Sequence, residues 1–181
     1  EMSASLVGSE MCIRDRLKVY ARHYKTGEPI PQELIDKLQK SSHFNQGFAT
    51  TEFMAAALLD MAYHTVKTTE PIHVERFEKE TLDKLGLIPE ITVRYRSTYF
   101  SHIFDSGYSA GYYAYTWAEV LDADAFQAFK ETGDIFNPEK ALAFRQYVLS
   151  KGGSDDAMKL YREFRGKDPS IEPLLKRRGL N

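Results

Sequence analysis

Residues 50–66, TTEFMAAALLDMAYHTV, show the strongest helical pattern in the chain. Apolar side chains recur there at intervals of three and four residues, which places them on one broad face of an α-helix. A helix with so wide an apolar face is expected at the centre of a core. The face consists of Phe53, Ala56, Ala57, Leu58, Met61, Ala62 and Thr65.

The segments around this helix are mostly amphipathic and are separated by short breaks. Helical spacing is found in residues 74–85, 107–132 and 138–149, and a further buried stripe is expected at Leu34, Ile35 and Leu38. Asn137-Pro138 is typical of a helix N-terminus. Residues 91–97 alternate instead, which favours a short extended connector. We therefore expect an all-α helical array that runs as one part from residue 17 to residue 181.

The composition is that of a globular protein and excludes several classes. Of the 181 residues, 43% are hydrophobic and 28% are charged, and the net charge is −2. Such a charge supplies no field for holding a polyanion, so no nucleic-acid partner is expected. The longest apolar run, Met54 to Leu59, ends at Asp60 and is far shorter than the roughly 18 residues of a membrane span, so no membrane partner is expected either.

The first residues, EMSASLVGSEMCIRDR (1–16), fit none of the patterns of the remaining chain. They lack the layout of a signal peptide, and SLVGSEMCIRDR resembles a translated adapter sequence. We expect residues 1–16 to be a non-native leader, and a natural leader is the alternative. Cys12 is the only cysteine, so the rest of the chain offers no thiol nucleophile and no disulfide.

Residues 99–117, YFSHIFDSGYSAGYYAYTW, contain five of the 11 tyrosines and the only tryptophan. A helix that begins at Gly107 would place Tyr108, Tyr112 and Tyr115 on one face. The simplest interpretation is an aromatic core stripe. The alternative is a face that meets a ligand, because each buried hydroxyl needs a partner.

Standard catalytic motifs do not decide between these two interpretations. The sequence has no H-E-x-x-H, G-x-S-x-G or P-loop motif, and no two of its histidines are spaced as metal ligands on a helix. Gly107 and Gly111 do favour a close approach of backbone or ligand, since each costs a helix about 1 kcal/mol. The five histidines are His23, His43, His64, His73 and His102.

Residues 101–126, SHIFDSGYSAGYYAYTWAEVLDADAF, resemble a loop and helix of the thimet oligopeptidase and peptidyl-dipeptidase family of zinc metallopeptidases. The peptidyl-dipeptidase branch is the more similar. The likeness extends upstream through residues 17–48, LKVYARHYKTGEPIPQELIDKLQKSSHFNQGF, and downstream to LLKRRGLN at residues 174–181.

The resemblance implies the C-terminal helical part of a zincin-like catalytic domain. Members of the family hold zinc with an H-E-x-x-H helix and a later glutamate, which lie upstream of the matching segment. The resemblance therefore implies zinc in the full-length enzyme, with its ligands outside this chain and no metal ligand within it. It also implies that this chain alone is inactive.

The resemblance further implies roles for individual residues. Tyr115 would donate a hydrogen bond to the oxyanion of the tetrahedral intermediate, with Tyr108 as its partner. His102 would bind the substrate backbone or the intermediate. The resemblance implies substrate-binding roles for three more residues. Tyr112 would shape the substrate pocket, and Gly107 and Gly111 would let the loop close over the peptide.

The partners implied are short peptide substrates and the upstream part of the same polypeptide. The implied reaction is the hydrolysis of short peptides, with release of C-terminal dipeptides. A non-catalytic helical module that binds a peptide or another partner is the alternative. The sequence leaves the compartment open, and a cytoplasmic location is favoured over a periplasmic one.

Overall fold

The computed structural model describes residue 17 and residues 19–180, so the expectation for residues 1–16 lies outside the described residues and stays a prediction. The chain forms α-helices over most of the described length. In chain order they are α1 (Gln32–Ser42), α2 (Gln46–His64), α3 (Val74–Lys84), α4 (Ser101–Phe104), α5 (Ala114–Lys130), α6 (Pro138–Phe144), α7 (Ala157–Arg165) and α8 (Glu172–Arg178).

The expected all-α class is confirmed, because the described residues contain helices and no named strand. An isolated antiparallel bridge joins Arg22 to Pro29. Residues 91–96 are non-helical, as expected of a connector, but the chain bends at residues 94 and 95 and a short 3₁₀ helix follows at Ser97–Tyr99. Within the described range, no helix combines the length and the apolar character needed to cross a membrane.

The described residues form two compact units, and the chain passes from one to the other after Phe44 and again inside α5, after Trp117. We call Asn45–Trp117 the central unit and the described residues before and after it the terminal unit. In the central unit, α2 is the core helix that the sequence predicts. Its buried face differs from the predicted one, because Ala55 and Leu59 are buried while Leu58 is 44% exposed.

The terminal unit has its own core, in which α5 packs against α7 and the segment around α6. Leu121, Ala125 and Ala128 of α5 meet Tyr161 and Phe164 of α7 in one buried cluster. The helix ends follow local sequence signals. The side chain of Asn137 accepts a hydrogen bond from the Lys140 N–H, as predicted for an N-cap, and α6 continues into a π-helical turn at Arg145–Leu149.

Two predictions about helices are wrong. Of the stripe expected on α1 only Ile35 is buried, because Leu34 and Leu38 lie on the exposed side of the helix, with 46% and 49% of their surface accessible. The long helix expected from Gly107 begins only at Ala114, since the chain before it is folded in consecutive turns.

Candidate functional site

Residues 107–113, here called the tyrosine loop, form these turns between α4 and α5. Hydrogen bonds within the loop span three residues: the Gly111 N–H donates to the Tyr108 carbonyl at 2.9 Å. Ala110 has a φ of 53°, in the left-handed region that is unfavourable for residues other than glycine. An α-helix cannot include such a residue, so the predicted helical face of tyrosines does not form.

The loop takes this shape because the Asp60 carboxylate of α2 binds its backbone. One carboxylate oxygen accepts the Ala110 N–H at 3.0 Å and the other accepts the Tyr112 N–H at 2.9 Å. Asp60 is fully buried, and His64 Nδ1 lies 2.8 Å from its Oδ1. Hydrogen bonds to an ionised acceptor are stronger than neutral ones, so they outweigh the local preference for helix.

Asp60 is the site residue that the sequence reasoning missed. In the sequence it marks only the end of an apolar run, Met54 to Leu59. An acidic residue inside an otherwise apolar core helix was the available signal, because buried charges in proteins are normally paired or hydrogen-bonded. The partners lie about fifty residues further along the chain, which no local pattern reveals.

The tyrosines expected to lie together do so, although not on a helical face. The Tyr108 and Tyr115 rings are stacked with centroids 4.9 Å apart, and Tyr112 meets Tyr115 edge-on at 5.3 Å. Phe53 of α2 stacks on Tyr112 at 5.2 Å. Tyr113 points away and is 53% exposed.

Burial separates the roles of these tyrosines. Tyr112 is 2% exposed and belongs to the core cluster with Phe100 and Ile103, so the core interpretation holds for this residue. Burial raises the pKa of Tyr112 to about 12, and the charge of Arg94 acts in the opposite direction. Tyr108 and Tyr115 are only partly buried, so they keep a surface that a ligand can reach.

His102 lies beside the tyrosine loop and has an unused polar atom. Its ring centroid is 5.8 Å from that of Tyr112 and 6.3 Å from that of Tyr108. Its Nδ1 is buried and has no hydrogen-bond partner within the described part of the chain. Unpaired buried polar atoms are rare, which marks this nitrogen as unusual, while the partly exposed remainder of the ring is the part that a ligand can reach.

The two glycines of the loop have different surroundings. A Cβ at Gly107 would meet no atom within 4 Å, so space is open there, whereas one at Gly111 would lie 3.4 Å from the Tyr108 carbonyl oxygen. The left-handed residue of the loop is Ala110 rather than either glycine. Of the two, Gly107 is therefore the position where a ligand or another segment has room to approach.

The described residues contain no group of three or more His, Cys, Asp or Glu side chains placed to hold a metal ion. Asp60 and His64 provide only two potential metal ligands, and these two side chains contact each other. The side chains present in this part of the chain therefore do not fit a zinc site.

Comparison with known proteins places this chain among peptidases. A family model described as peptidase family M3 matches residues 4–180. The dipeptidyl carboxypeptidases of Escherichia coli (strain K12) and Salmonella typhimurium are 46% and 43% identical over 164 residues, which is 90% of this chain and 24% of each relative. Oligopeptidase A of Haemophilus influenzae is 35% identical over 167 residues, which is 92% of this chain and 24% of the relative. The chain thus spans about a quarter of the length of these relatives.

Proposed function

Because this chain belongs to peptidase family M3, a family of zinc metallopeptidases, we propose that it forms the substrate-binding and oxyanion-stabilising part of such an enzyme. The zinc would be held by residues outside this chain, in the upstream part of the same polypeptide. The contribution of this chain is then to bind a short peptide and to donate hydrogen bonds to it.

The stacked pair of Tyr115 and Tyr108 next to His102 is the observation on which the proposal rests. Attack on a peptide carbonyl leaves a negatively charged oxygen, which needs a preorganised hydrogen-bond donor. A tyrosine hydroxyl, with an ordinary pKa of about 10, keeps its proton at neutral pH and donates it in such a bond. Stacking on Tyr108 holds the Tyr115 ring in place, so Tyr115 is assigned as the oxyanion donor.

The neighbouring residues complete the site. His102, whose ring is partly exposed, would bind the substrate backbone or the intermediate. Tyr112 forms a wall of the site, since its ring is locked in the core. Gly107 leaves room for the peptide, and Gly111 lies beside the Tyr108 carbonyl in the turn and would let the loop close over the peptide. Asp60 fixes the backbone from which these side chains project.

The mode of cleavage is proposed from the relatives. Identity is higher to the two proteins named dipeptidyl carboxypeptidase, at 46% and 43%, than to oligopeptidase A, at 35%. We therefore assign release of dipeptides from the C-termini of short peptides, rather than internal cleavage. A cytoplasmic location remains our prediction for the enzyme.

Replacing Tyr115 in the full-length protein that contains this segment tests the assignment. Loss of one oxyanion donor lowers kcat by roughly a hundred- to a thousandfold, so Tyr115→Phe should do so on a short fluorogenic peptide. The free energy of unfolding should hardly change, because the ring is kept. Tyr113→Phe, at an exposed neighbouring position, is the matched control and should retain its turnover. Unchanged turnover in Tyr115→Phe together with lost stability would support a non-catalytic helical module instead.

The chain expressed by itself offers a second test. We expect it to hydrolyse no peptide and to bind no zinc in stoichiometric amount, because the described residues provide no set of ligands. Peptide assays and metal analysis after dialysis measure both properties. One tightly bound zinc ion per chain would contradict the proposal that the ligands lie elsewhere.

A further inference from the structure

His64, the last residue of α2, contacts the carboxylate that anchors the tyrosine loop. Its Nδ1 lies 2.8 Å from Oδ1 of Asp60 and 2.9 Å from the Asp60 carbonyl oxygen. Both oxygens are acceptors, so Nδ1 carries the hydrogen and donates it. The two residues are four positions apart, which places their side chains on successive turns of one helix face. The contact therefore forms within α2 and does not require the loop.

The contact with His64 restricts the rotation of the Asp60 carboxylate. The torsion about the Cβ–Cγ bond of an aspartate is broad, so the rotamer alone does not set the plane of the carboxylate. The oxygen that faces His64, Oδ1, also accepts the Ala110 N–H at 3.0 Å, and Oδ2 accepts the Tyr112 N–H at 2.9 Å. Holding Oδ1 from α2 thus determines where both acceptors of the tyrosine loop lie.

The imidazole itself has limited freedom to turn away from Asp60. Its side chain is 25% exposed, and its ring centroid lies 6.2 Å from that of Phe104 in α4. The Phe104 ring meets Tyr63 of α2 edge-on, with centroids 5.3 Å apart. A side chain that is already confined loses little further conformational entropy when it donates a hydrogen bond, so the donor stays in place.

We propose that His64 is a positioning residue for the peptidase reaction and acts through Asp60 on the tyrosine loop. This inference rests on the function proposed above and deepens it, because it names the group that keeps the oxyanion donor in place. Asp60 binds the Tyr112 backbone, and the Tyr112 ring meets Tyr115 at 5.3 Å. A carboxylate that turns therefore displaces Tyr115, and a misplacement of about 1 Å lowers the rate by about a hundredfold.

The test compares variants of the full-length protein containing this segment on a short fluorogenic peptide. His64→Asn and His64→Leu have side chains of similar size, but only asparagine has a nitrogen donor bonded to Cγ, as Nδ1 is in histidine. His64→Ala removes the ring without adding apolar bulk and serves if the leucine variant does not fold. His73→Leu is the control, because His73 Nδ1 accepts the Arg76 N–H at 3.4 Å elsewhere in the central unit.

His64→Leu and His64→Ala should lower kcat by about ten- to a hundredfold and change KM less than about threefold, because a misplaced oxyanion donor weakens binding of the transition state rather than of the substrate. His64→Asn should keep kcat within about threefold of wild type, because it restores the donor. His73→Leu should keep both constants. Circular dichroism at the assay temperature checks that each variant is folded.

Combining His64→Leu with Tyr115→Phe tests the route through the oxyanion donor. Residues that act as a unit have non-additive effects, so the double variant should be little slower than Tyr115→Phe alone. Losses that multiply would show that His64 does not act through Tyr115, and they would overturn the inference.

Two further results would overturn the inference while leaving the proposed function intact. One is wild-type turnover in a folded His64→Leu or His64→Ala, measured beside a Tyr115→Phe variant that is slowed. The other is a folded His64→Asn that is as slow as His64→Leu, because the donor at Nδ1 would then have no part in the effect. Unchanged turnover in Tyr115→Phe would instead refute the proposed function, and this inference with it.

Discussion

At the scale of single residues, Asp60 combines complete burial with three polar partners. It is fully buried, and its carboxylate serves two backbone N–H groups and the His64 ring. Its charge is tolerated there only because all three partners are present. Loss of the carboxylate would leave buried N–H donors without an acceptor. An unpaired buried donor lowers the free energy of unfolding by more than an ordinary hydrogen bond adds to it.

Asp60→Ala should therefore destabilise the full-length protein by about 3–5 kcal/mol and should lower peptidase activity, because the tyrosine loop loses its anchor. Chemical denaturation monitored by the loop tyrosines, together with a peptide assay, measures both effects. Asp83→Ala is the control: this carboxylate pairs with Lys79 on the surface of α3, is 60% exposed, and should cost no more than about 1 kcal/mol. Equal losses in the two variants would contradict the anchoring role.

Tyr112 gives a pH-dependent prediction. Its pKa in the folded protein is raised to about 12 by burial, above the unfolded value of about 10. Between these values the unfolded chain has lost the proton that the folded chain keeps, so the free energy of unfolding falls as pH rises from about 10 to 12. Tyr112→Phe should flatten this dependence and remove one late step from the phenolate absorbance titration. A titration of wild type in which Tyr112 has its midpoint near pH 10 would show that the hydroxyl is not buried in solution.

At the scale of elements, the packing of α7 on α5 depends on a buried polar cluster in the terminal unit. Arg165 of α7 donates to Asp124 at 3.0 Å and to Glu131 at 2.7 Å, and the Tyr161 hydroxyl donates to Asp124 at 2.6 Å. Burial and the bond to Asp124 raise the pKa of Tyr161, so this hydroxyl stays a donor. Arg165 is the cation that faces the buried Asp124 carboxylate, and Lys167 lies 3.7 Å from Glu131 as a second cation.

Arg165→Met should destabilise the protein by roughly 3–5 kcal/mol, because it leaves the Asp124 carboxylate buried without its cation. The matched control lies on the same helix: Arg162 pairs with Asp168 at the surface, is 54% exposed, and Arg162→Gln should cost at most about 1 kcal/mol. Denaturation midpoints of the two variants give the comparison. A small loss for Arg165→Met would mean that water reaches Asp124 and replaces the arginine.

At the scale of the whole molecule, the predicted and the observed structures agree where residues close in sequence determine the local structure. The core helix around residues 50–66, the N-cap at Asn137 and the all-α class follow from spacing and capping chemistry, which depend on neighbours in sequence. The tyrosine loop departs from its local helical pattern because a carboxylate distant in sequence binds its backbone. Spatial proximity of Tyr108, Tyr112 and Tyr115 was predicted correctly, but from a helix that does not form there.

The exposed side of α1 leads to a prediction about the isolated chain. Leu34 and Leu38 lie one turn apart with nearly half of their surfaces exposed, and Phe44 after the helix is 78% exposed. Exposed apolar patches of this kind favour association. Sedimentation should show that the isolated chain self-associates as concentration rises and that Leu34→Gln with Leu38→Gln increases the monomer fraction. Lys37→Gln, on the charged side of α1, should leave the distribution unchanged.

The way in which Asp60 holds the tyrosine loop has a consequence for protein engineering. Within the loop, the carboxylate contacts only main-chain N–H groups, which every residue except proline provides. The two positions that Asp60 holds, Ala110 and Tyr112, are thus fixed through their backbone, whereas Ser109 adds a side-chain hydrogen bond to the Ile103 carbonyl at 2.6 Å. Tyr113, which is exposed, becomes a place where a designer can graft a new recognition group onto an unchanged backbone.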